Sequence, residues 1–475
     1  MVDLPDKATA FTDWYLAAVE AADLTDKRYP VKGMNVWTAY GLAARRRLDA
    51  VLVREIEATG SVAVEFPLLI PETEFAKEAE HIKGFDEEVF WVTRGGRTPL
   101  DVPLALRPTS ETAMYPIFAL WVRSHRDLPL NVYQIVNTFR YDTKTTRPFL
   151  RVREIHFFEE HTCQVDAEAA DVRVRSNLGA FREMARAFGL PYLTIRRPEW
   201  DKFPGAFYSV AFDAPVGGAH TLQLGTVHAY HENFARPYGI RYEAADGSQQ
   251  YVQQTTFGLS ERLLGAIVAV HGDAKGVAFP STVAPYQVVI VPIVAAGGDD
   301  APLVAAREYA ERLRRAGHRV HLDERDDRPG AKYYYWETRG VPLRLDVGRR
   351  EAESHGASAV DRLGRRSTVP ASNLEAEVDR LLREYDRELS DRAQAAFRAR
   401  LAAAQRLDEL RDSPTVRFVP WCGSEACGHA IEAAIGGGLL GTPEEELPIP
   451  LGDPGPCIAG GETAGTRWAV AARPL

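Results

Sequence analysis

The run from Asn137 to His161, NTFRYDTKTTRPFLRVREIHFFEEH, sets an apolar strand pattern, a polar loop and a second strand pattern in immediate succession, which reads as a hairpin. Such a hairpin normally keeps its charges on the loop or on one solvated face. Here Arg140 closes the first strand, and Arg151 and Arg153 open the second. A guanidinium fork can hold two anionic oxygens in parallel bonds, so this placement suits a clamp on a polyanion. A salt-bridged surface hairpin fits the same residues. The rest of the chain has to decide.

Upstream, apolar residues at helical spacing predict helices from about Phe11 to Ala22 and from about Tyr40 to Thr59, the second stopped by Gly60. VAVEFPLLIP follows as a strand interrupted by Pro67, a mark of an edge or bulge. Beyond EAEHIKGF comes a second hairpin, VFWVTRGGRTPLDVPLAL, turning at Gly95-Gly96. It ends in Arg107, Pro108, Thr109, Ser110 and Glu111. Pro108 ends the strand and Thr109 or Ser110 can cap the next helix. Glu111 then lies at a helix N-terminus, favoured there by the helix dipole or waiting for an ammonium.

Downstream, a helix is expected from about Ala167 to Phe188, then strands with Gly225-Thr226-Val227-His228 at a turn or strand end. In QQTTFGLSERLLGAIVAVHGD a strand passes through Gly258 into a helix, with Ser260 as N-cap and Arg262 in the first turn. Positive charge there opposes the dipole, so an anionic partner such as a nucleotide phosphate is expected.

Pro280 to Pro285 reads as a linker into a small α/β unit in which YQVVIVPIV, a helix, HRVHLDER and GVPLRLDVG alternate. Arg339, Arg344, Arg349, Arg350, Arg365 and Arg366 interleave with Tyr333, Tyr334, Tyr335 and Trp336, the footprint of single-stranded nucleic acid. Glu337, Asp346 and Glu351 dilute it. The formal charge of -9 requires any nucleic-acid contact to be such a local patch. A third unit opens with a capping box at Ser372 and Glu375 and carries Cys422, Cys427 and Cys457. At 475 residues the length prior is roughly three domains. Four cysteines in all exclude a disulfide scaffold. No apolar run approaches the roughly 18 residues that cross a bilayer, so no membrane partner is expected. MVDLPDKATA lacks an export signal, which makes a cytoplasmic location the expectation.

Several motifs together resemble the prolyl-tRNA synthetase family of class II aminoacyl-tRNA synthetases, in its archaeal and eukaryotic-like architecture. VEFPLLIP resembles motif 1, RPTSE the Thr-x-Glu loop, FRYDTKTTRPFLRVRE motif 2, and GLSERLLGAIVAVHGD motif 3. The resemblance implies an α/β (α+β) fold: an antiparallel class II catalytic sheet with helices over 1–283, an α/β anticodon-binding unit over 284–370, and a C-terminal α+β, zinc-binding-like unit over 371–475. It implies that L-proline and ATP form prolyl-adenylate and that the prolyl group then passes to proline tRNA. By the same resemblance Arg140 holds the α-phosphate and the proline carboxylate, Arg151 belongs to the ATP site, Arg262 holds the γ-phosphate, and Gln223 and Thr226 line the adenosine. Thr109 and Glu111 bind the proline ammonium, and Phe157, Glu159, His161, His228 and Thr256 shape the ring pocket. Lys332, Arg339 and Arg344 face the tRNA. Mg2+ accompanies ATP, a homodimer forms through motif 1 around Pro67, and no inserted editing domain separates motifs 2 and 3.

The chain departs from the family pattern in two places. Tyr230-His231 stands where leucine-glycine is common, which puts the pocket's shape in question. Of four zinc-binding cysteines three are present, Cys422, Cys427 and Cys457; the matching fourth position is Gly460, and His429 offers a replacement nitrogen. A metal-free fold with leftover thiols competes with the Zn2+ reading. These departures motivate an alternative, a duplicated synthetase-like enzyme that activates proline or an analogue for another acceptor or for inhibitor resistance. A non-catalytic tRNA- or amino-acid-binding regulator is a third reading, opposed by the retention of Thr109, Glu111, Arg140 and Arg262.

Overall fold

The computed structural model describes residues 3–75, 88–142, 144–294, 300–461 and 465–475. EAEHIKGF lies outside them. Trp14, Tyr15, Ala18 and Val19 recur every three to four residues and are all buried, which commits one face of helix α1 (Phe11–Ala21) to the interior. Helix α2 (Ala39–Glu57) starts where the Thr38 hydroxyl accepts the Gly41 N–H at 3.1 Å. Gly41 is required there, because a Cβ would stand 1.8 Å from the Leu24 carbonyl oxygen.

The motif 1 run splits into β1 (Val62–Ala63) and β2 (Leu69–Pro71), with Pro67 between them. Next come β3 (Trp91–Gly95) and β4 (Thr98–Leu106), whose turn uses Gly96 at φ 61°, then α3 (Glu111–Trp121). The opening hairpin forms as expected: β5 (Leu130–Phe139) and β6 (Glu154–Gln164) pair antiparallel. After α4 (Ala167–Ala187) follow β7 (Leu193–Arg196), β8 (Tyr208–Gly217), β9 (His220–His231), β10 (Gln253–Ser260) and α5 (Arg262–His271).

The parallel strands β11 (Val288–Pro292), β12 (Val320–Leu322) and β13 (Leu343–Val347) alternate with helices α6 (Ala301–Arg315) and α7 (Pro329–Thr338). Strands β14 (Gly356–Asp361) and β15 (Arg366–Pro370) complete a separate five-stranded sheet. Helix α8 (Leu374–Ala399) buries Leu374, Val378 and Leu381 against this sheet. It then reaches back: the Tyr385 hydroxyl donates to the Phe279 carbonyl at 2.9 Å. The expected capping box at its start does not form. Asn373 occupies the N-cap, and the Glu375 carboxylate takes a two-pronged bond from Arg312 at 2.9 Å on each arm.

The last elements are β16 (Leu401–Ala403), β17 (Val416–Trp421), α9 (Glu425–Ile435), β18 (Gly438–Pro443) and β19 (Arg467–Pro474). They do not build a sheet of their own. β18 pairs with β7, and β19 meets β9 in parallel at His220–Arg473 and Thr221–Pro474. The result is one eleven-stranded sheet in the order β16-β17-β19-β18-β7-β8-β9-β10-β6-β5-β1, in which the late strands cover an edge that β7 would otherwise leave unpaired.

Helices α1, α2, α4 and α5 pack on one face of this sheet around Phe158, Phe181, Phe212 and Phe257, with the Phe181 and Phe212 rings stacked at 3.7 Å. Among the described residues no helix is long and apolar enough to cross a membrane. Phe257 is fully buried on the strand that runs through the cleft described next. Phe257→Ala is therefore expected to lower stability by about 3–5 kcal/mol, read as a fall in the urea midpoint of the catalytic-sheet transition.

Candidate active site

Side chains alternate across a strand, so Phe157, Glu159 and His161 of β6 share a face, as do Thr256, Gly258 and Ser260 of β10 and Thr226, His228 and Tyr230 of β9. The pairing register aligns these rows: Thr256 lies opposite both His161 and His228, and Gly258 opposite both Glu159 and Thr226. Gly258 keeps the floor clear, since a Cβ there would stand 2.9 Å from the Phe157 ring. Above the rows opens a cleft of about 540 Å³, bordered also by Thr109, Glu111, Arg140, Arg151, Gln223 and Arg262. Every residue expected for the amino-acid and nucleotide ends thus borders one space, except His161, which lies fully buried directly behind its wall.

The two cleft arginines are fastened by their inner nitrogens. Arg140 Nε donates to the Pro108 carbonyl at 3.2 Å, and Arg262 Nε to the Leu150 carbonyl at 2.8 Å, and both residues line the cleft. Loss of hydration, reinforced by the charges of Arg140 and Arg151, pushes Arg262 down to about 10. Dehydration also lowers Arg140, against the attraction of Glu88, Glu111 and Glu159. Arg151 is held at 2.8 Å by Asp142.

The opposite wall is a closed polar network. Glu111 accepts from the Tyr230 hydroxyl at 2.9 Å and from the Thr109 hydroxyl. Ser110, expected as a helix cap, makes no cap bond; its hydroxyl donates to Glu159, which also receives Gln134 Nε2 at 2.8 Å. Glu159 and His161 are fully buried and lie 3.1 Å apart. Burial works against both charges, yet hydrogen bonding and mutual attraction win, holding the Glu159 carboxyl below its ordinary value and raising His161 above its own. The other His161 nitrogen meets Tyr115 Oη at 3.1 Å and Thr256 Oγ1 at 3.2 Å.

His228 behaves differently. Burial, with the charges of His161 and Arg197, pushes it down to about 3, so its imidazole is neutral; Nδ1 bonds Ser209 Oγ at 2.8 Å. His231 sits at a bulge with φ 50° and stacks outward on Phe207 at 4.4 Å. It does not border the cleft, whereas Tyr230 does.

Tyr115, Ser110, Gln134, Phe203, Ser209 and Tyr230 were not anticipated as parts of this wall. For Tyr230 the signal was present, since it stands two residues beyond His228 on one strand. Gln134 is found only through its pairing opposite Glu159.

Two sets of expected residues are corrected. Lys332 does not face solvent: it is 5% exposed and its ammonium donates to the Asp323 carbonyl at 3.0 Å. Arg339 and Arg344 remain partly exposed, lying on the Tyr335 and Tyr333 rings at 3.6 and 3.7 Å, the latter also paired with Asp346 at 2.9 Å. At the cysteines, the sulfurs of Cys422, Cys427 and Cys457 lie within 4.8 Å of one another. His429 is not among them, because Glu432 and Glu425 hold its ring at 2.7 and 3.4 Å. Gly461 lies against the cluster with no room for a side chain, since a Cβ there would stand 2.7, 2.8 and 3.5 Å from the three sulfurs, while a Cβ on Gly460 meets nothing within 4 Å.

His228 and the buried His271, lowered to about 4 mainly by burial, link this architecture to pH. Below the ordinary value of 6.5 the unfolded chain takes up protons that the folded chain refuses. Their stability contribution is therefore complete above pH 6.5 and is lost as pH falls toward those values, at up to about 1.4 kcal/mol per unit for each. Urea midpoints should drop between pH 6.5 and 5, and His271→Gln should flatten the slope by about one proton.

Residues 90–271 match the tRNA synthetase class II core domain (G, H, P, S and T) and residues 287–381 the anticodon binding domain. The chain is 50% identical over 454 residues to the proline-tRNA ligase of Thermococcus kodakarensis, covering 93% of this chain and 94% of that one. Identity to the proline-tRNA ligase of Methanoculleus marisnigri is 48% over 472 residues, 98% of each chain. Among solved structures, a Giardia lamblia prolyl-tRNA synthetase in complex with prolyl-adenylate aligns with a TM-score of 0.94 at 31% identity, over 100% of both chains. A Cryptosporidium parvum prolyl-tRNA synthetase complexed with halofuginone and AMPPNP aligns at 0.93 and 29%, over 100% of this chain and 99% of that one.

Proposed function

The chain belongs to the prolyl-tRNA synthetase family of class II aminoacyl-tRNA synthetases, and from that premise we propose that its cleft joins L-proline to ATP and then charges proline tRNA. The observation that carries this reading is the convergence, on one cleft, of a buried carboxylate with two carbonyl-anchored guanidiniums. An ammonium and a polyphosphate need those opposite charges a short distance apart.

In the first step a proline carboxylate oxygen attacks the α-phosphorus, the new P–O bond forms, and the bond to pyrophosphate breaks with its electrons on the departing oxygen. The attacking group is already ionised, so the residues supply position and charge rather than a base. Arg140 lies between Glu111 and the phosphate side, suited to hold both the α-phosphate and the proline carboxylate. Arg262 takes the γ-phosphate, Arg151 adjoins the nucleotide, and Gln223 and Thr226 line the adenosine side. Thr109 and Glu111 receive the proline ammonium. Phe157, Glu159, His161, His228 and Thr256 form or back the ring wall, with His161 acting through its bonds to Glu159 and Thr256. The network leaves its polar groups bonded to one another, so the ring is selected by shape, and smaller amino acids such as alanine are excluded only modestly. Mg2+ enters with ATP, held mainly by phosphate oxygens whose charge it neutralises. In the second step the terminal ribose hydroxyl of the tRNA attacks the prolyl carbonyl and AMP leaves.

The tRNA contacts are proposed at Arg339 and Arg344, whose guanidiniums lie over tyrosine rings, with Lys332 buttressing the helix beneath them. The division into units at 1–283, 284–370 and 371–475 accompanies this reading, with the third unit's strands joined to the first unit's sheet. Val62, Leu68, Leu69, Leu120 and Trp121 are exposed on the motif 1 side, which supports a homodimer there. A cytoplasmic setting is consistent with a tRNA substrate. The three clustered thiols suit zinc, and the fourth position of the family pattern, Gly460, supplies no side-chain donor.

Amino-acid-dependent pyrophosphate exchange followed by charging of purified proline tRNA tests the assignment. Proline should support both. Arg140→Ala should cut exchange by at least about 10²-fold with an unchanged melting profile; exchange at the parental rate would remove Arg140 from the clamp. Elemental analysis of protein purified without added zinc should give about one zinc per chain, lost in Cys457→Ser. Zinc-free protein with three titratable thiols in this cluster would refute the metal reading.

A further inference from the structure

We propose that Tyr230 is a positioning residue for amine recognition: its hydroxyl fixes Glu111 so that the carboxylate presents two free acceptor sites to the two N–H bonds of a secondary ammonium. The proposal rests on the reading of the cleft as the proline site and adds a residue that this reading did not contain.

Tyr230 is fully buried yet borders the cleft, and its hydroxyl donates to Glu111 Oε1 at 2.9 Å. The Thr109 hydroxyl donates to the other oxygen, Oε2. Each carboxylate oxygen accommodates about two donors. With one neutral hydroxyl on each, about one place per oxygen remains, which matches an amine bearing two hydrogens. The donors are uncharged, so they orient Glu111 without cancelling the charge that attracts the ammonium. Burial and the Glu111 charge push the phenol well above its ordinary value, so the proton stays on the tyrosine and the bond keeps its direction.

The ring itself cannot swing away. It packs on Phe234 at 4.3 Å and on Phe203 at 5.9 Å, and lies parallel to His228, 4° between planes at 6.0 Å. One rigid side chain therefore sets the carboxylate and closes the pocket behind it. A loosely held donor would let Glu111 rotate toward other cations of the cleft, Arg140 first.

Steady-state pyrophosphate exchange with Tyr230→Phe, which removes one oxygen and keeps the ring, reads the claim directly. KM for proline should rise about tenfold, with kcat within about twofold and KM for ATP unchanged. Tyr230→Leu should raise KM further and lower the proline-to-alanine ratio of kcat/KM several-fold, because the space behind the ring opens. Equal proline KM in the parent and Tyr230→Phe overturns the assignment. So does a loss shared equally by the proline and ATP constants, or one confined to kcat, as a purely structural role would produce. Absence of proline-dependent exchange in the parent enzyme would instead remove the underlying reading, and this one with it.

Discussion

Two dehydrated guanidiniums held within one cleft are the constraint around which the catalytic sheet is arranged. Arg140 and Arg262 repel each other and lose hydration, and Arg262 is pushed down to about 10 as a result. Such charges persist only where neighbours hold them and an anion can relieve them. The neighbours are backbone carbonyls, of Pro108 for one and Leu150 for the other, which places the ends of β4 and of the motif 2 loop against the cleft. Anchoring by the backbone fixes where each guanidinium stands in the cleft, so its charge is held by the fold rather than by a flexible side chain alone.

The facing wall solves the complementary problem. Glu111 borders the cleft, while Glu159 and His161 are closed in by bonds to Ser110, Gln134, Tyr115, Thr256 and each other. Gln134 is the hinge of that second arrangement: its amide nitrogen donates to Glu159 while its oxygen accepts the Phe66 N–H at 2.9 Å. The backbone of motif 1 is thus two hydrogen bonds from the ring wall.

Much of this was legible in the chain. The resemblance brought Phe157, Glu159 and His161 together, and their alternation along β6 is the reason they share a face; the motif 2 arginines flank its strands, Arg140 just after β5 and Arg151 and Arg153 just before β6. What sequence could not supply was pairing register, which decides that Gln134 faces Glu159, and the choice of donor at each cap. Ser110 and Glu375 both looked like local capping residues. Both found stronger charged partners far away in sequence, Glu159 and Arg312, and a charge-assisted bond outcompetes a cap. Lys332 was named through the resemblance, which does not report that its side chain turns inward to the Asp323 carbonyl.

The junction of β19 with β9 bears on how the molecule is made. Arg473 and Pro474 lie beside His220 and Thr221, on the strand that bears Gln223, Thr226 and His228. Their backbone seals the junction: the Arg473 N–H donates to the Ala219 carbonyl at 2.8 Å and the Leu475 N–H to the Thr221 carbonyl at 3.0 Å. On a ribosome the chain emerges N-terminus first, and this contact joins segments some 250 residues apart. That strand, which lines the cleft through Gln223, Thr226 and His228, is therefore complete only after β19 has left the exit tunnel. Until then a nascent chain carries every cleft residue, and the strand that holds several of them still lacks its last neighbour.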